Sequence, residues 1–225
     1  ISEGEHRIIF SATDRVGNRS EEIVFTIVKD ITAPQITKFE IKEDSTVKEH
    51  IARFTFSENI SLPVISLNGD SLETALGSKD HTFLTTMSLS VEQLISPLKF
   101  SITGFTDDAG LTGRDTSIAY QFSDSLLYLK STKLLGAEQG KDRLVLLNHL
   151  KEKNPTTLKY RKDLVAFYRN SNDSINEEDE LSELASLDPD DLEVYNRIIR
   201  LAYNRGDFKK AHNYFFMCFF LFNFD

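Results

Sequence analysis

Hydrophobic positions follow two different periods along the chain. Over residues 1–123, apolar and β-branched residues alternate with polar ones in short runs, broken by Gly, Asn, Asp and Pro. ITKFEI, ARFTFS, PVISLNG, TFLTTM and LKFSITGF each bury one face when extended, so each predicts a strand. From Asp124 onward Leu, Ile, Phe and Tyr recur at helical spacing, with few Gly or Pro. The change falls where YQF gives way to LLYLKSTKLL. The expected fold is multidomain, all-β followed by all-α.

Each half also repeats. IIFSATDRVGN (8–18) and SITGFTDDAGL (101–111) each run from an alternating strand through Thr-Asp to a Gly turn, and a second strand follows. Thr13-Asp14 and Thr106-Asp107 lie 93 positions apart, about the length of one sandwich domain. Residues 1–30 then hold only the closing hairpin of a domain, and two strands alone are marginal in water. The expectation is a piece of a longer protein, which also accounts for the lack of a visible signal peptide. Asp30-Ile31-Thr32-Ala33-Pro34 is a stiff joint, because Pro34 fixes its own φ and biases Ala33 to extended geometry. Residues 31–123 supply the strands of a complete domain. In the helical half, 124–225, Asn154-Pro155 and Asp188-Pro189 are 34 positions apart, giving units that begin at Leu158 and Leu192. A degenerate unit at 124–157 keeps Leu147 and Leu150 in phase.

GEHRIIFSATDRVGN, the strand after it and DITAP together resemble the bacterial immunoglobulin-like repeats of surface and periplasmic proteins. Those repeats end in a Thr-Asp-x-x-Gly-Asn turn and are joined by Asp-x-Thr-x-Pro linkers. RFTFSENISLPVISLNG is similar to their Ser-Glu segment. The resemblance covers 1–123 and implies an immunoglobulin-like β-sandwich at 31–123, preceded by the C-terminal hairpin of a truncated one at 1–30. It departs at Leu111, where Asn is usual, and in the low Gly count of 10. The 34-residue units resemble tetratricopeptide repeats. Tyr195, Ile198, Ala211, Phe215 and Cys218 fall where that family places large, large, small, aromatic and small residues. Leu164, Tyr168, Leu181 and Pro189 match in the preceding unit, but Glu177 stands where a small residue is expected.

Composition then removes several chemistries. The net charge of −9, with no cluster of five Lys or Arg, disfavours a nucleic-acid partner. The single cysteine, Cys218, excludes an intrachain disulfide and a multi-Cys metal site; its place in an apolar helix reads as a buried, inert thiol. His6, His50, His81, His149 and His212 form no metal-ligand spacing and read as surface or helix-face residues. Nucleophile-elbow, P-loop and dinucleotide motifs are missing, so no catalytic residue is nominated and an enzyme is not expected. Three Asn-x-Ser/Thr matches, at Asn18, Asn59 and Asn172, carry little weight. No cofactor is expected, with one exception. Asp14, Asp30, Asp107, Asp108 and Glu58 occupy turns and linkers where domain ends meet, and calcium takes six to eight such oxygens. The competing reading is that Asp14 and Asp107 hydrogen-bond their own turn amides.

The tetratricopeptide resemblance places the first helix of each pair on an inner face. That face would present Lys159, Lys162, Ala166 and Arg169 with Asn170, then Glu193, Asn196, Arg200 and Tyr203 with Asn204. It is more basic than the protein as a whole and suits an extended peptide or acidic tail as partner. YFFMCFFLFNF (214–224) carries six Phe in eleven residues, too few to span a bilayer, and leaves a larger assembly through this end as a second partner surface. The expected function is non-enzymatic: a modular bacterial envelope protein, periplasmic, outer-membrane-associated or on the cell surface, whose immunoglobulin-like spacers present a protein-interaction module. The alternative is an accessory region of a larger secreted enzyme, or of a glycan-binding or adhesin protein.

Overall fold

The structure, a computed structural model, describes residues 2–44, 49–77, 81–134 and 139–222. It divides into two compact units: Ile1–Leu89 with Leu98–Tyr120, and Ser90–Pro97 with Gln121–Asp225.

The first unit is β-rich and holds three antiparallel sheets. Strands β1 (Gly4–Phe10) and β2 (Ile23–Lys29) form a two-stranded hairpin in the register Ile8 to Phe25. Every residue of β2 is exposed, and the edge-on contact of Phe10 with Phe25, at 5.6 Å, is its main apolar pairing. The second sheet contains β3 (Ile36–Asp44), β4 (Glu49–Phe56), β7 (Ala75–Leu76) and β8 (Thr82–Met87), ordered β3-β4-β8-β7. The third contains β5 (Val64–Leu67), β6 (Asp70–Leu72), β9 (Leu98–Thr103) and β10 (Thr116–Tyr120), ordered β10-β9-β5-β6.

Strand β4 shows why the alternation works. His50, Ala52, Phe54 and Phe56 are buried while their neighbours are half-buried, since successive side chains point to opposite faces. Phe39 and Phe54 of one four-stranded sheet meet Phe100 of the other at 5.1 and 5.8 Å, so one aromatic layer fills the space between them. His50 is a correction: it is a buried strand residue, not a surface or helix-face one. The β5–β6 turn is Asn68-Gly69 with φ of 52° and 101°, the double left-handed geometry that closes a two-residue hairpin and that Asn-Gly adopts cheaply.

The 93-residue repeat is reproduced hydrogen bond by hydrogen bond. The Asp14 amide donates to the Asn18 carbonyl and the Gly17 amide to the Asp14 carbonyl; Asp107, Leu111 and Gly110 repeat both bonds. Ser20 donates to Ala12 as Gly113 does to Phe105. Thr13 bridges to Arg19 as Thr106 does to Thr112. Where the first copy has Ser20 the second needs glycine, because a Cβ at Gly113 would lie 1.8 Å from the buried Phe105 ring.

The second unit is helical. Its short α1 (Val91–Ile95), not expected from the sequence, is closed by a reciprocal cap between Ser90 and Gln93 and buries Val91 and Leu94. The others are α2 (Asp124–Lys133), α3 (Gly140–Lys153), α4 (Leu158–Asn170), α5 (Ser174–Leu187), α6 (Leu192–Asn204) and α7 (Phe208–Phe222). Helices α4/α5 and α6/α7 are two copies of one hairpin. Asn172 and Gly206, 34 residues apart, both take positive φ, at 58° and 81°. The amides of Ser171, Asn172 and Asp173 bond to Phe167, Arg169 and Tyr168, and those of Arg205, Gly206 and Asp207 bond to Leu201, Tyr203 and Ala202. Asp173 and Asp207 then cap the following helices through Asn176 and Lys210 amides. Val165, Leu181, Leu184, Val194, Tyr195 and Ile198 form the shared core, with Tyr214 and Cys218 packed on it. Cys218, expected to be buried, is half-buried, and that partial burial raises the pKa of its thiol. Phe215, expected against a small residue in the core, is instead 57 % exposed, with Phe216, Met217, Phe219 and Phe220 beside it. Among the described residues no helix is long and apolar enough to cross a membrane.

Candidate functional site

Residues of α4 and α6, with Leu181 and Leu184 of α5 between them, line a groove. One part, of about 220 Å³, is lined by Lys162, Val165, Ala166, Arg169, Asp191 and Arg197, among others. A second, of about 400 Å³, shares Arg169, Glu193 and Arg197 with it and adds Asn196 and Arg200. Lys162, Arg169, Asn196 and Arg200, all nominated from the sequence, therefore line the groove. Lys159 lies elsewhere on α4, its ammonium 3.4 Å from the centre of the Tyr128 ring on α2. Tyr203 is exposed and packs edge-on against Phe208 at 5.4 Å. Asn170 and Asn204 are exposed at the C-terminal ends of α4 and α6 and line neither part of the groove.

Two residues not nominated set the electrostatics of the groove: Glu177 of α5 and Arg197 of α6. Glu177 is 2 % exposed and takes both nitrogens of the Arg197 fork at 2.8 Å. Its Oε1 also accepts from Arg169 Nε at 2.9 Å. Burial would raise this carboxyl, but hydrogen bonds from Arg197 and Arg169, with their charges, outweigh it and hold the pKa below the usual glutamate value. The same bond raises the pKa of Arg197. Glu177 stands where a small residue was expected, and its size is what lets it reach across to two other helices. Its signal in sequence was that mismatch, together with two arginines eight residues before and twenty after it.

The groove is less basic than the sequence suggested. Lys162 is paired with Asp191 at 3.2 Å, and Glu193 adds a second carboxylate to the lining. Arg169 and Arg197 share one carboxylate, so one of their two charges is left over. Arg200 has no ion pair among the described residues. The uncompensated positive charge is thus concentrated along Arg169, Arg197 and Arg200, where a carboxylate can take guanidinium N–H bonds.

In the β-rich unit the structure brings together Asp30, Glu58 and Asp107, with one carboxylate oxygen of each lying within 4.8 Å of the others. Asp14 and Asp108 lie outside this group. Asp14 is exposed and fully occupied by its own turn: Oδ1 accepts from the amides of Val16 and Asn18, and Oδ2 from the Asn18 side chain, each at 2.9 Å. Those bonds, from the Asn18 backbone first, lower its pKa.

No family model matches the chain, and no curated protein matches it. A solved structure of a point mutant of MamA is similar with a TM-score of 0.36 and 17 % identity, over 42 % of this chain and 69 % of that one. At that level the likeness sets neither fold nor function.

Proposed function

We propose that the helical unit is a tetratricopeptide-type protein-interaction module, and that its α4–α6 groove holds an extended, carboxylate-bearing peptide. The observation that carries this reading is the pair Arg169 and Arg197 on one buried Glu177, which orients two guanidiniums toward the groove while neutralising only one. Arg200 and Asn196 extend the donor set, and Lys162 with Asp191 forms a polar rim. In the same reading the two four-stranded sheets are an immunoglobulin-like sandwich that serves as a spacer. The protein is non-enzymatic and works in the bacterial cell envelope, holding its helical module at a distance. An acidic surface of this size repels nucleic acid.

The test uses labelled acidic, neutral and basic peptides against the full chain, read by fluorescence anisotropy. Acidic peptides should bind, with affinity falling as salt rises. Arg200→Glu with Lys162→Glu should abolish binding, while Lys141→Glu with Lys209→Glu, at exposed sites off the groove, should not. Each exposed cationic contact adds on the order of 1 kcal/mol or less, so loss of both is needed for a clear effect. Equal loss in both pairs reduces the attraction to net charge, and no loss in either removes the groove from the function.

A further inference from the structure

We propose that Asp30, Glu58 and Asp107 form a divalent-cation site of the calcium class at the exit of the β1–β2 hairpin. The case begins with the two copies of the Thr-Asp turn. In the first, Asp14 spends both carboxylate oxygens on the turn, and Oδ2 is taken by the side-chain amide of Asn18. In the second, the Leu111 amide occupies Asp107 Oδ1 at 2.8 Å, but a leucine has no side-chain donor to offer Oδ2. Asp107 is only 7 % exposed, and its Oδ2 is buried without a hydrogen-bond partner. A buried, unpaired carboxylate oxygen is costly unless a cation meets it.

Two further carboxylates converge on the Asp107 side chain. Asp30 follows β2, Glu58 follows β4, and both are half-buried. Three like charges this close repel one another. Burial, then the charges of Asp30 and Asp107, raise the Glu58 pKa accordingly. The spacing fits a hard cation: oxygens on opposite sides of a calcium ion bound at about 2.3–2.6 Å lie about 5 Å apart, and these oxygens fall within 4.8 Å. Three carboxylates, able to bind through one or both oxygens, suit calcium's irregular shell better than the strict octahedron of magnesium. The Thr32 amide already fixes Asp30 through Oδ1 at 3.0 Å. A bound ion would tie the hairpin exit to the loop after β4 and the turn after β9. Cation binding here is independent of any ligand at the helical groove.

The experiment is calorimetric titration of the full chain with calcium chloride, paired with melting of its β signal at matched ionic strength. The parent should bind one ion and melt on the order of 5 °C higher in about 10 mM calcium, as a site of extracellular-module affinity would give. Magnesium should give a smaller shift. Asp107→Asn and Glu58→Gln should each lower affinity at least about tenfold. Glu58→Gln sits in a half-buried loop and guards against a folding failure at Asp107. Leu111→Asn, which restores the amide that Asn18 supplies in the first copy, should weaken calcium binding while leaving the metal-free protein at least as stable. No heat and no shift in the parent overturns the site. So does a shift kept by both carboxylate variants, and affinity unchanged in Leu111→Asn overturns the role given to the free oxygen.

Discussion

Replacing Glu177 by Gln tests whether the clamp behind the groove stabilises the helical unit. The substitution keeps the side chain's volume but removes the charge and turns one acceptor into a donor facing two guanidiniums. Three bonds of 2.8–2.9 Å are lost or weakened. Hydrogen bonds to charged groups contribute about 1.5–3 kcal/mol each, and breaking a buried pair costs about 3–5 kcal/mol. Here the arginine side chains are 50 % and 34 % exposed and recover water, so the expected loss is nearer about 2 kcal/mol. Linkage gives a second, sharper signature. The folded pKa of Glu177 lies below its ordinary 4.5, so its stabilisation is present above that value and fades as pH falls through the folded one. Urea unfolding followed by far-UV circular dichroism should therefore show Glu177→Gln weaker than the parent at neutral pH, with the gap narrowing at acid pH, below the ordinary 4.5. A gap that is the same at both pH values would refute the reasoning, because it would then come from shape alone.

Gly113→Ala should destabilise the β-rich unit by roughly 2 kcal/mol or more in chemical denaturation, because the new methyl overlaps the Phe105 ring and neither backbone nor ring has room to yield. Tyr128 donates to Asp163 Oδ2 at 2.7 Å, and burial first, then that bond, pushes its pKa up to about 12. Absorbance titration should show one tyrosine ionising near that value and lost in Tyr128→Phe; its stabilisation, complete below the ordinary 10.0, should disappear as pH rises toward 12.

Much of the architecture was legible because it is periodic. Alternation located β3, β4, β5, β8 and β9, and the helical spacing with a 34-residue offset located α4 to α7. Turn chemistry marked the Thr-Asp turns at Asp14 and Asp107, while the Asn68-Gly69 turn lay hidden at the end of the run PVISLNG, read as strand. Short elements were harder: α1 spans five residues, and its one signal was a Ser-x-x-Gln cap inside a stretch otherwise read as β. Sites were legible only in part, since a motif records local chemistry and not which distant side chain completes it. Asp14 and Asp107 carry the same turn signature, yet Asn18 satisfies one and Leu111 leaves the other open. Glu177 broke the expected small-residue pattern, and only the fold reveals that its partners stand on α4 and α6.

Glu177 is one of three buried glutamates on α5, and together they explain how this helix can be so polar and still lie at the centre of its unit. Glu178, 1 % exposed, meets Arg205 just after α6 and Lys210 on α7. Glu180 meets Lys151 on α3 at 2.6 Å and Arg161 on α4 at 3.0 Å. Each carboxylate thus faces two cations, and the three sets reach every neighbouring helix from α3 to α7. In a repeat array stability is largely a sum of neighbour contacts, and the apolar cluster around Ile198 already supplies area. Buried ion pairs add little net stability over well-packed apolar residues of the same size. Their stronger effect is on alternatives: sliding α5 by one turn would strand three carboxylates without partners, at several kcal/mol each. The polar helix therefore sets the register of its neighbours, and that register is what brings Arg169 and Arg197 together at the floor of the groove.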